Sequence, residues 1–579
     1  MRIIDLIHQL LPAGTDAAFL VEAPTVEVLN QPGGPRATFP SYSLCPIWPP
    51  DLFAVIGTII DRSGCYTEAR PDRNNLVWHE EFIESIIAIA ASWSASMVLP
   101  PEDVQYLWTH VVSNFGMLPL SEVCQEQEVV DYLLGLFAIA DEACAGMGWD
   151  ELPTHPHTPF SLNVIRTALA PDSRDPYRLP YWPRSLCGMV SPDHAIVLPK
   201  SITTTKGCTI RSLSHHLALL PCRTTLDPSW FLVSRPLQAA PHDTMRLLLI
   251  PFPDQIPDDC FEVSFPRTPL SNGTSYAAFF RLHQHWLGRK GQPRMTGAAL
   301  AKRVVLPLIR QACKASGGVV PNGIVFPECA LSPQVAQELV QAIADTGIEF
   351  LITGVLEKEP ETGHWLNQAR TYAIVDSQNV LCRQQNKHHR WRVDQSQADA
   401  YGLNFDTDQS NHQWWEDIDI SRRSLPFYAL SRDMSMVTLI CEDLARMDPA
   451  MNAIRSVGPN LVVALLMDGP QLISRWPGRY AGVLADEPGC AVLSLTCAAT
   501  VNRSNATYVK NNPAAAPARI VALWVQADGR KEQLSLDDGD MGVLLQLRCV
   551  PKHQTTLDNR SDRSASRELQ YLSHMSLGV

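Results

Sequence analysis

The chain has 579 residues, with 47 lysines and arginines against 60 aspartates and glutamates, and its formal net charge is -13. A chain of this length exceeds what one hydrophobic core accommodates, which predicts several domains. Because nucleic-acid binders neutralise phosphates with lysine and arginine, the acidic balance argues against a nucleic-acid partner.

The sequence carries no targeting or membrane signal. Asp5 and His8 interrupt the apolar residues of the N-terminal stretch MRIIDLIHQLLPAG, which is unlike a signal peptide. No uncharged apolar run of about 18 residues occurs, so no membrane-spanning helix is expected. The 15 cysteines lack short paired spacings and form no CxxC motif, which favours reduced thiols over disulfides or structural zinc. We therefore expect a cytoplasmic protein without metal or cofactor.

Five regions follow one another along the chain. Residues 1–77 predict an irregular, proline-rich N-terminal region. Residues 78–150 predict a helical region, because apolar residues recur every three or four positions in EEFIESIIAIAASWSASM and QEVVDYLLGLFAIADEACAG. Residues 151–240 are typical of a proline-rich connector with short strands. Residues 241–555 predict one α/β domain, and residues 556–579 a polar C-terminal tail.

Strands and helices alternate throughout residues 241–555. Apolar runs such as MRLLLIPFP, EFLITGVLEKE and LVVALLM predict buried strands, whereas GAALAKRVVLPLIRQACKAS has the periodicity of a helix. Ser332 is a favourable N-cap for the helix in SPQVAQELVQAIADTG. The pair Asp528–Gly529 predicts a hairpin turn before KEQLSL. This alternation indicates a layered α/β architecture but does not name a function.

Three of the apolar runs end on a reactive side chain: Glu328 in IVFPE, Lys387 in QQNKHH and Cys441 in VTLICEDLAR. A thiol needs a nearby base or cation to become an efficient nucleophile. A carboxylate can take the thiol proton, and an ammonium can stabilise a developing oxyanion. Taken singly, each residue is more often structural, because a buried cysteine is usually a core residue.

The three segments together resemble the nitrilase (carbon–nitrogen hydrolase) superfamily over roughly residues 245–550. VFPE resembles the family's segment with the general base, NKHH its lysine segment and LICEDLAR its nucleophile elbow. RYAGVLADEPGCAVLSLTCAATVNRSN is similar to a later helix–strand segment of the family. The resemblance implies a C-terminal α-β-β-α sandwich, preceded here by a mixed, partly helical extension, and a homodimer or higher oligomer.

The same resemblance implies cysteine-dependent hydrolysis of a small-molecule amide or carbamoyl compound through a thioester. Cys441 is the nucleophile, Glu328 the general base, and Lys387 with the backbone N–H of Glu442 holds the oxyanion. True nitrilases usually carry tryptophan directly after the cysteine, and here Glu442 stands there. The pattern C-x-D-L-x-R therefore favours the amidase and carbamoylase branches over nitrile hydrolysis.

The sequence departs from the family's pattern after the lysine. Many members carry a second glutamate shortly beyond it, where this chain has Gln395 with Asp394 beside it. Asp394 partly keeps that role, the site is altered, or the chemistry is impaired. The stretch between Lys387 and Cys441 is also long, which predicts an inserted loop containing HQWWEDIDISRR. That loop is a lid, an interface, or a solvated loop pinned by two tryptophans.

Two further residues are candidates for the substrate pocket. Arg446 is expected to pair with Asp443 or to contact a substrate carboxylate, and Asp468 follows the strand LVVALLM. A structural ion pair is the simpler interpretation of both.

Two other classes of function were weighed. One is a catalytically impaired binding or scaffold protein acting through the N-terminal extension, which would bind a protein partner. The other is a metalloenzyme using four histidines, His215, His216, His388 and His389. Adjacent histidines point to opposite sides of a strand, which argues against shared chelation.

Overall fold

The computed structural model describes residues 1–11, 45–69, 75–96, 99–145, 147, 185–201, 207–221, 226–232, 243–266, 268–269, 271–273, 275–289, 291, 293–403, 405, 413–431, 433–561 and 566–579. They form two compact units. The first unit comprises Met1–Thr225, Asn452–Gly458 and Lys552–Ser566, and the second comprises Leu226–Met451, Pro459–Pro551 and Arg567–Val579. Residues 151–184, the first part of the connector predicted at 151–240, lie outside the described residues.

The first unit is mostly helical. Its α-helices are α1 (Ile3–Leu10), α2 (Pro49–Ser63), α3 (Leu76–Ser96), α4 (Glu102–Phe115) and α5 (Gln127–Ala143). Short 3-10 turns span Cys65–Glu68, Leu120–Gln125 and Ile210–Leu213. Strands β1 (Ala195–Pro199) and β2 (Leu217–Pro221) form an antiparallel pair. Among the described residues of both units, no helix is long and apolar enough to span a membrane.

Helix α2 lies in the region for which the proline content predicts irregular structure, and that prediction is wrong here. Pro49 and Pro50 occupy the first turn, where a missing N–H costs nothing, and residues 49–60 of the helix are buried. The helix ends at Gly64, whose φ of 77° is left-handed. The prolines therefore begin a helix rather than prevent one.

A buried ionic network ties helix α5 to the segment Lys552–Ser566 within the first unit. Asp141 is fully buried and accepts the backbone N–H groups of three consecutive residues, 215–217. Arg560 is 1% exposed and binds Asp141 at 3.2 Å and Glu142 at 2.7 Å. Each buried charge therefore has partners, as low-dielectric surroundings require.

The second unit contains the remaining strands. In chain order they are β3 (Asp227–Leu232), β4 (Thr244–Leu249), β5 (Phe261–Phe265), β6 (Thr268–Pro269), β7 (Ser275–Tyr276), β8 (Ala278–Leu282), β9 (Gly323–Val325), β10 (Phe350–Lys358), β11 (Trp365–Ile374), β12 (Val380–Asn386), β13 (Arg392–Asp394), β14 (Gln413–Glu416), β15 (Ser424–Ser431), β16 (Met434–Ile440), β17 (Leu461–Leu465), β18 (Ala491–Leu495), β19 (Ile520–Val525), β20 (Lys531–Ser535), β21 (Gly542–Lys552) and β22 (Ser566–Leu577).

The helices are interspersed among these strands. They are α6 (Gly297–Leu300), α7 (Leu306–Ala315), α8 (Pro333–Ile343), α9 (Gln395–Tyr401), α10 (Ala450–Val457), α11 (Trp476–Asp486) and α12 (Ala498–Asn511), with α10 crossing the boundary between the units. A π-helical turn, Ala301–Val305, joins α6 to α7, and 3-10 turns span Asp258–Cys260, His285–Leu287, Ala344–Thr346 and Cys441–Ala445.

Two seven-stranded sheets dominate the second unit. The first has the order β12-β11-β10-β9-β4-β21-β22, and the second β20-β19-β18-β17-β16-β15-β3. A four-stranded sheet, β13-β14-β8-β5, and the pair β6-β7 complete it. Most of the predicted strands are confirmed, as is the hairpin turn at Gly529, where φ is 87°. The mixed α/β class is confirmed.

The core of the second unit lies around the central strands of its two large sheets. Every residue of β16 and β17 is buried, which is the continuous apolar pattern of parallel strands covered on both faces. Helices α7 and α8 pack on the first sheet through Leu308 and Leu339, and helix α11 packs on β18 and β19. The two large sheets touch where the Thr438 hydroxyl donates to Gln385 Oε1 at 2.8 Å.

The C-terminal residues differ from the sequence-based expectation. Residues 566–577, predicted as part of a polar tail, form β22 at the edge of the first sheet. Buried and exposed positions do not alternate regularly along β22. The sequence therefore lacks the alternation of apolar and polar residues that predicts a strand.

Candidate functional site

Glu328 lies just after β9, in a loop that packs closely against β10. The carboxylate is 3% exposed. Gly354 of β10 makes this approach feasible, because a Cβ there would lie 2.5 Å from Glu328 Cα and 2.4 Å from Cys329 N. A glycine inside a strand often marks such a close backbone approach. The site therefore depends on Gly354, which the sequence did not single out.

Lys387 follows β12 and lies between two carboxylates. Its Nζ donates to Glu328 Oε1 at 2.8 Å and to Glu416 Oε2 at 2.7 Å. Asn367 Nδ2 donates to the same two carboxylates, each at 2.8 Å. These charge-assisted bonds hold the ammonium at one place in a nearly dry environment.

Glu416 is a residue that sequence reasoning missed. It ends β14, inside the segment predicted as an inserted loop, and its carboxylate also accepts the N–H of Trp391 at 3.0 Å. From the sequence, Gln395 stands at the family's second glutamate position, and Asp394 beside it is the carboxylate that could partly keep that role. Asp394 instead caps helix α9 by accepting the N–H of Gln397, and Gln395 donates to Asp399. The contact with Lys387 comes from Glu416.

Cys441 stands at the end of β16, where the strand turns into the 3-10 turn Cys441–Ala445. Its φ of 45° is left-handed, which is rare for a residue with a side chain and is found at strained functional turns. Cys441 is 4% exposed. Burial raises the pKa of its thiol well above the usual value, the Glu328 carboxylate raises it further, and the Lys387 ammonium lowers it.

The charges of the cluster shift one another. Burial by itself lowers the pKa of Lys387, but the carboxylates of Glu328 and Glu416 outweigh burial and hold the pKa well above its usual value. Burial raises the pKa of Glu328; Lys387 opposes this shift and Glu416 adds to it. Lys387 is thus a stable cation, and Glu328 has a raised pKa, as general bases in enzymes often do. Both charges act electrostatically on the Cys441 thiol, and the three residues remain the candidate residues of the site.

Asp443 joins the cysteine segment to the lysine segment. Both of its carboxylate oxygens accept the N–H of His388 at 3.1 Å, and Oδ1 lies 3.0 Å from His389 Nδ1. His388 directly follows Lys387, so Asp443 fixes the position of the lysine relative to the turn. Of the two roles expected for Arg446, pairing with Asp443 is not observed, because Arg446 pairs with Glu442; its side chain is half exposed. Contact with a substrate carboxylate remains a prediction. The two histidines therefore support the turn, and each has its own partner.

We expect Asp443→Ala to lower the free energy of unfolding by about 1–3 kcal/mol, because it leaves the buried N–H of His388 without an acceptor. Urea denaturation followed by tryptophan fluorescence measures the change. The control is Asp345→Ala, which removes an exposed carboxylate. Equal stability of the two variants would contradict the role of Asp443.

Asp468 follows β17 at the same edge of the second sheet as Cys441. Its carboxylate accepts the Tyr401 hydroxyl and lies 2.8 Å from Arg475 Nη2, and its N–H donates to Thr496 Oγ1 at 2.9 Å. Burial and the neighbouring Asp468 raise the pKa of Tyr401. Asp468 thus forms the structural ion pair that the sequence suggested, next to the candidate site.

Comparisons with known proteins give structural matches only. No family model and no curated protein matches the chain. An amidase of the nitrilase superfamily from Nesterenkonia AN1 aligns with 53% of this chain and 92% of its own, at 14% identity and a TM-score of 0.29. Saccharomyces cerevisiae Nit3, a branch 10 member, aligns with 53% of this chain and 90% of its own, at 12% identity and a TM-score of 0.28.

A further match is XC1258 from Xanthomonas campestris, a CN-hydrolase superfamily protein, which aligns with 58% of this chain and 90% of its own at 10% identity and a TM-score of 0.24. The chain is similar to members of the nitrilase superfamily.

Proposed function

We propose that the chain is a cysteine-dependent hydrolase of non-peptide carbon–nitrogen bonds, acting on a small amide or carbamoyl compound. One observation carries the proposal. A buried ammonium, Lys387, lies 2.8 Å from Glu328 and 2.7 Å from Glu416, and it interacts electrostatically with Cys441. Base, cation and thiol are the groups that acyl transfer through a thioester requires.

The first half of the reaction forms the thioester. Glu328 takes the proton of the Cys441 thiol as the sulfur attacks the carbonyl carbon. Lys387 and the N–H of Glu442, at the start of the 3-10 turn, stabilise the negative charge that develops on the carbonyl oxygen. Glu328 then gives the proton to the nitrogen as the C–N bond breaks, and ammonia or an amine leaves.

The second half releases the acid. Glu328 takes a proton from a water molecule, whose oxygen attacks the thioester carbon. The tetrahedral adduct collapses, the C–S bond breaks, and the proton held by Glu328 returns to the sulfur. The carboxylic acid leaves, and the thiol is restored.

Glu416 has a supporting role in this proposal. We propose that it holds Lys387 in place and keeps it protonated, since its carboxylate contacts Nζ and the N–H of Trp391. Asn367 separates the two glutamates by donating to both. With this second carboxylate present, an active enzyme is favoured over a catalytically impaired binding protein.

We further propose that the hydrolase domain, expected from the sequence at residues 241–555, is the second unit, including β3 and β22, and that it is a four-layer α-β-β-α sandwich. The contact between Gln385 and Thr438 joins the two large sheets, and α7, α8 and α11 pack on them. Family resemblance suggests that copies assemble into a dimer or larger oligomer, and a role in binding a protein partner is proposed for residues 1–240.

We expect Cys441→Ala to abolish the release of ammonia from short aliphatic amides, because no thioester can form without the thiol. A coupled ammonia assay over a panel of such amides and carbamoyl compounds measures this. The matched control is Cys313→Ala, which removes a partly exposed thiol from helix α7. Ammonia release that survives in Cys441→Ala would refute the proposed nucleophile.

A labelling experiment separates the enzyme from the binding protein even when the substrate is unknown. Iodoacetamide is itself a small primary amide, so a site for small amides should admit it. Site-resolved mass spectrometry should find Cys441 alkylated far faster than the other cysteines, and Glu328→Gln or Lys387→Ala should remove that difference. Equal labelling of all the cysteines would count against activity.

A further inference from the structure

A second cluster of reactive side chains lies in the second unit and shares no residue with the Glu328–Lys387–Glu416 cluster. Asp259 and Cys260 belong to the 3-10 turn Asp258–Cys260, and His285 begins the turn that follows β8. One potential ligand atom from each residue lies within 4.8 Å of the other two. We propose that these three residues bind one divalent transition-metal ion, with zinc fitting best.

The spacing of the nitrogen and oxygen atoms is compatible with a bound metal. Asp259 Oδ2 and His285 Nδ1 are 3.3 Å apart. Zinc bonds of about 2.0–2.1 Å in tetrahedral geometry separate nitrogen and oxygen ligands by about 3.3–3.4 Å. The buried Nδ1 atom has this contact with Asp259 Oδ2 but no hydrogen bond of good geometry among the described residues. A metal ion between the two atoms would satisfy both, as buried polar atoms normally are.

The donor set selects the kind of metal. Sulfur, imidazole nitrogen and a carboxylate oxygen together favour zinc and similar ions, whereas calcium and magnesium prefer oxygen ligands alone. Cys260 is fully buried and binds as a thiolate, so its proton is released to solvent when the metal enters. Asp259 is exposed, which leaves a fourth coordination position open to water.

Neighbouring side chains orient the ligands. Arg289 donates to Asp259 Oδ1 at 3.0 Å and leaves Oδ2 turned towards the histidine. The ring of His283 stacks on His285 with centroids 5.6 Å apart, and Glu262 binds His283 at 2.7 Å. Support of this kind by outer side chains is common around bound metals.

The proposed metal would secure the turn that supports the loop after Glu328. Gln284 Nε2 donates to the carbonyl oxygens of Cys329 and Leu331 at 2.7 and 2.8 Å. Trp286 Nε1 donates to the carbonyl of Ala330 at 3.0 Å. Since these residues flank His285, a metal at His285 would hold the same turn. Metal binding itself does not depend on the proposed hydrolase activity.

The test uses the full chain, stripped of metal by a chelator and titrated with zinc against a chromophoric competitor. Elemental analysis gives the stoichiometry. We expect one tightly bound zinc per chain and a melting temperature that rises with zinc concentration. Cys260→Ser and His285→Gln should each lose this zinc, whereas Cys313→Ser and His364→Gln should keep it.

A second experiment replaces zinc with cobalt and measures the absorption spectrum. Bound to the wild-type chain, it should give thiolate-to-cobalt charge-transfer absorption, which Cys260→Ser removes and Cys441→Ala retains. If Cys260→Ser does not fold, His285→Gln gives the same information, because that side chain is partly exposed. Absence of stoichiometric zinc in the wild type, or unchanged zinc in both ligand variants, would overturn the proposal.

Discussion

Replacing Lys387 with methionine is expected to lower the rate of amide hydrolysis at least about a hundredfold and the free energy of unfolding by about 3–5 kcal/mol. The rate falls because the developing oxyanion loses its cation. The stability falls because Glu328 and Glu416, both nine-tenths or more buried, are left beside each other without the ammonium between them. Initial rates and urea denaturation measure the two effects.

The loss of stability in Lys387→Met should depend on pH. Lys387 lowers the pKa of Glu328, and the variant therefore has a higher Glu328 pKa than the wild type. A carboxyl whose pKa is higher in the folded than in the unfolded state stabilises the fold below the unfolded pKa, and this contribution is lost as pH rises through the folded pKa. The deficit relative to wild type should therefore shrink in acid.

The control for this experiment is Lys358→Met, which removes an exposed lysine at the end of β10. It should match the wild type in rate and, within about 0.5 kcal/mol, in stability. A Lys387→Met variant that folds as stably as the wild type at every pH would contradict the buried ion pairs described above.

Replacing Glu416 with glutamine is expected to lower kcat roughly tenfold to hundredfold, because a displaced or less firmly held cation stabilises the transition state poorly. Glutamine keeps the volume and can still accept the N–H of Trp391, so the fold should persist. Glu416 is a positioning residue, because it acts through Lys387. A loss of rate alone would not show whether Glu416 positions the lysine or only stabilises the fold.

The pH–rate profile makes that separation. Glu416 raises the pKa of Glu328, and removing its charge should lower that pKa. The acidic limb of the profile, which reports deprotonation of the base, should therefore move to lower pH. A merely structural residue would lower the rate without moving the limb.

The matched control for Glu416 is Asp394→Asn, which removes the carboxylate beside Gln395, the position of the family's second glutamate. Asparagine also caps helices, so helix α9 should be kept. Wild-type rates in Asp394→Asn together with a loss in Glu416→Gln would assign the role to Glu416. The reverse pattern would return it to Asp394.

Local patterns in the sequence predicted most strands and helices of the second unit, although not β14 and β22, and they singled out Glu328, Lys387 and Cys441 as candidates. The strands β9 and β16, which precede Glu328 and Cys441, are fully buried, because continuous apolar segments bury best in a covered sheet. Strand β12, before Lys387, is buried only at its last two residues. The prolines at the start of α2 led to a wrong prediction of irregular structure, since composition does not reveal whether a proline begins a helix or interrupts one.

Only the tertiary structure identified Glu416 and the group of Asp259, Cys260 and His285. Both depend on chain segments that are far apart in sequence, and a turn or an edge strand can bring a side chain to a site from any distance along the chain. Glu416 lies on β14, whose neighbours β13 and β8 come from separate parts of the chain. Sequence periodicity reports which face of an element is buried, whereas the charges that meet there are decided by how the sheets pack.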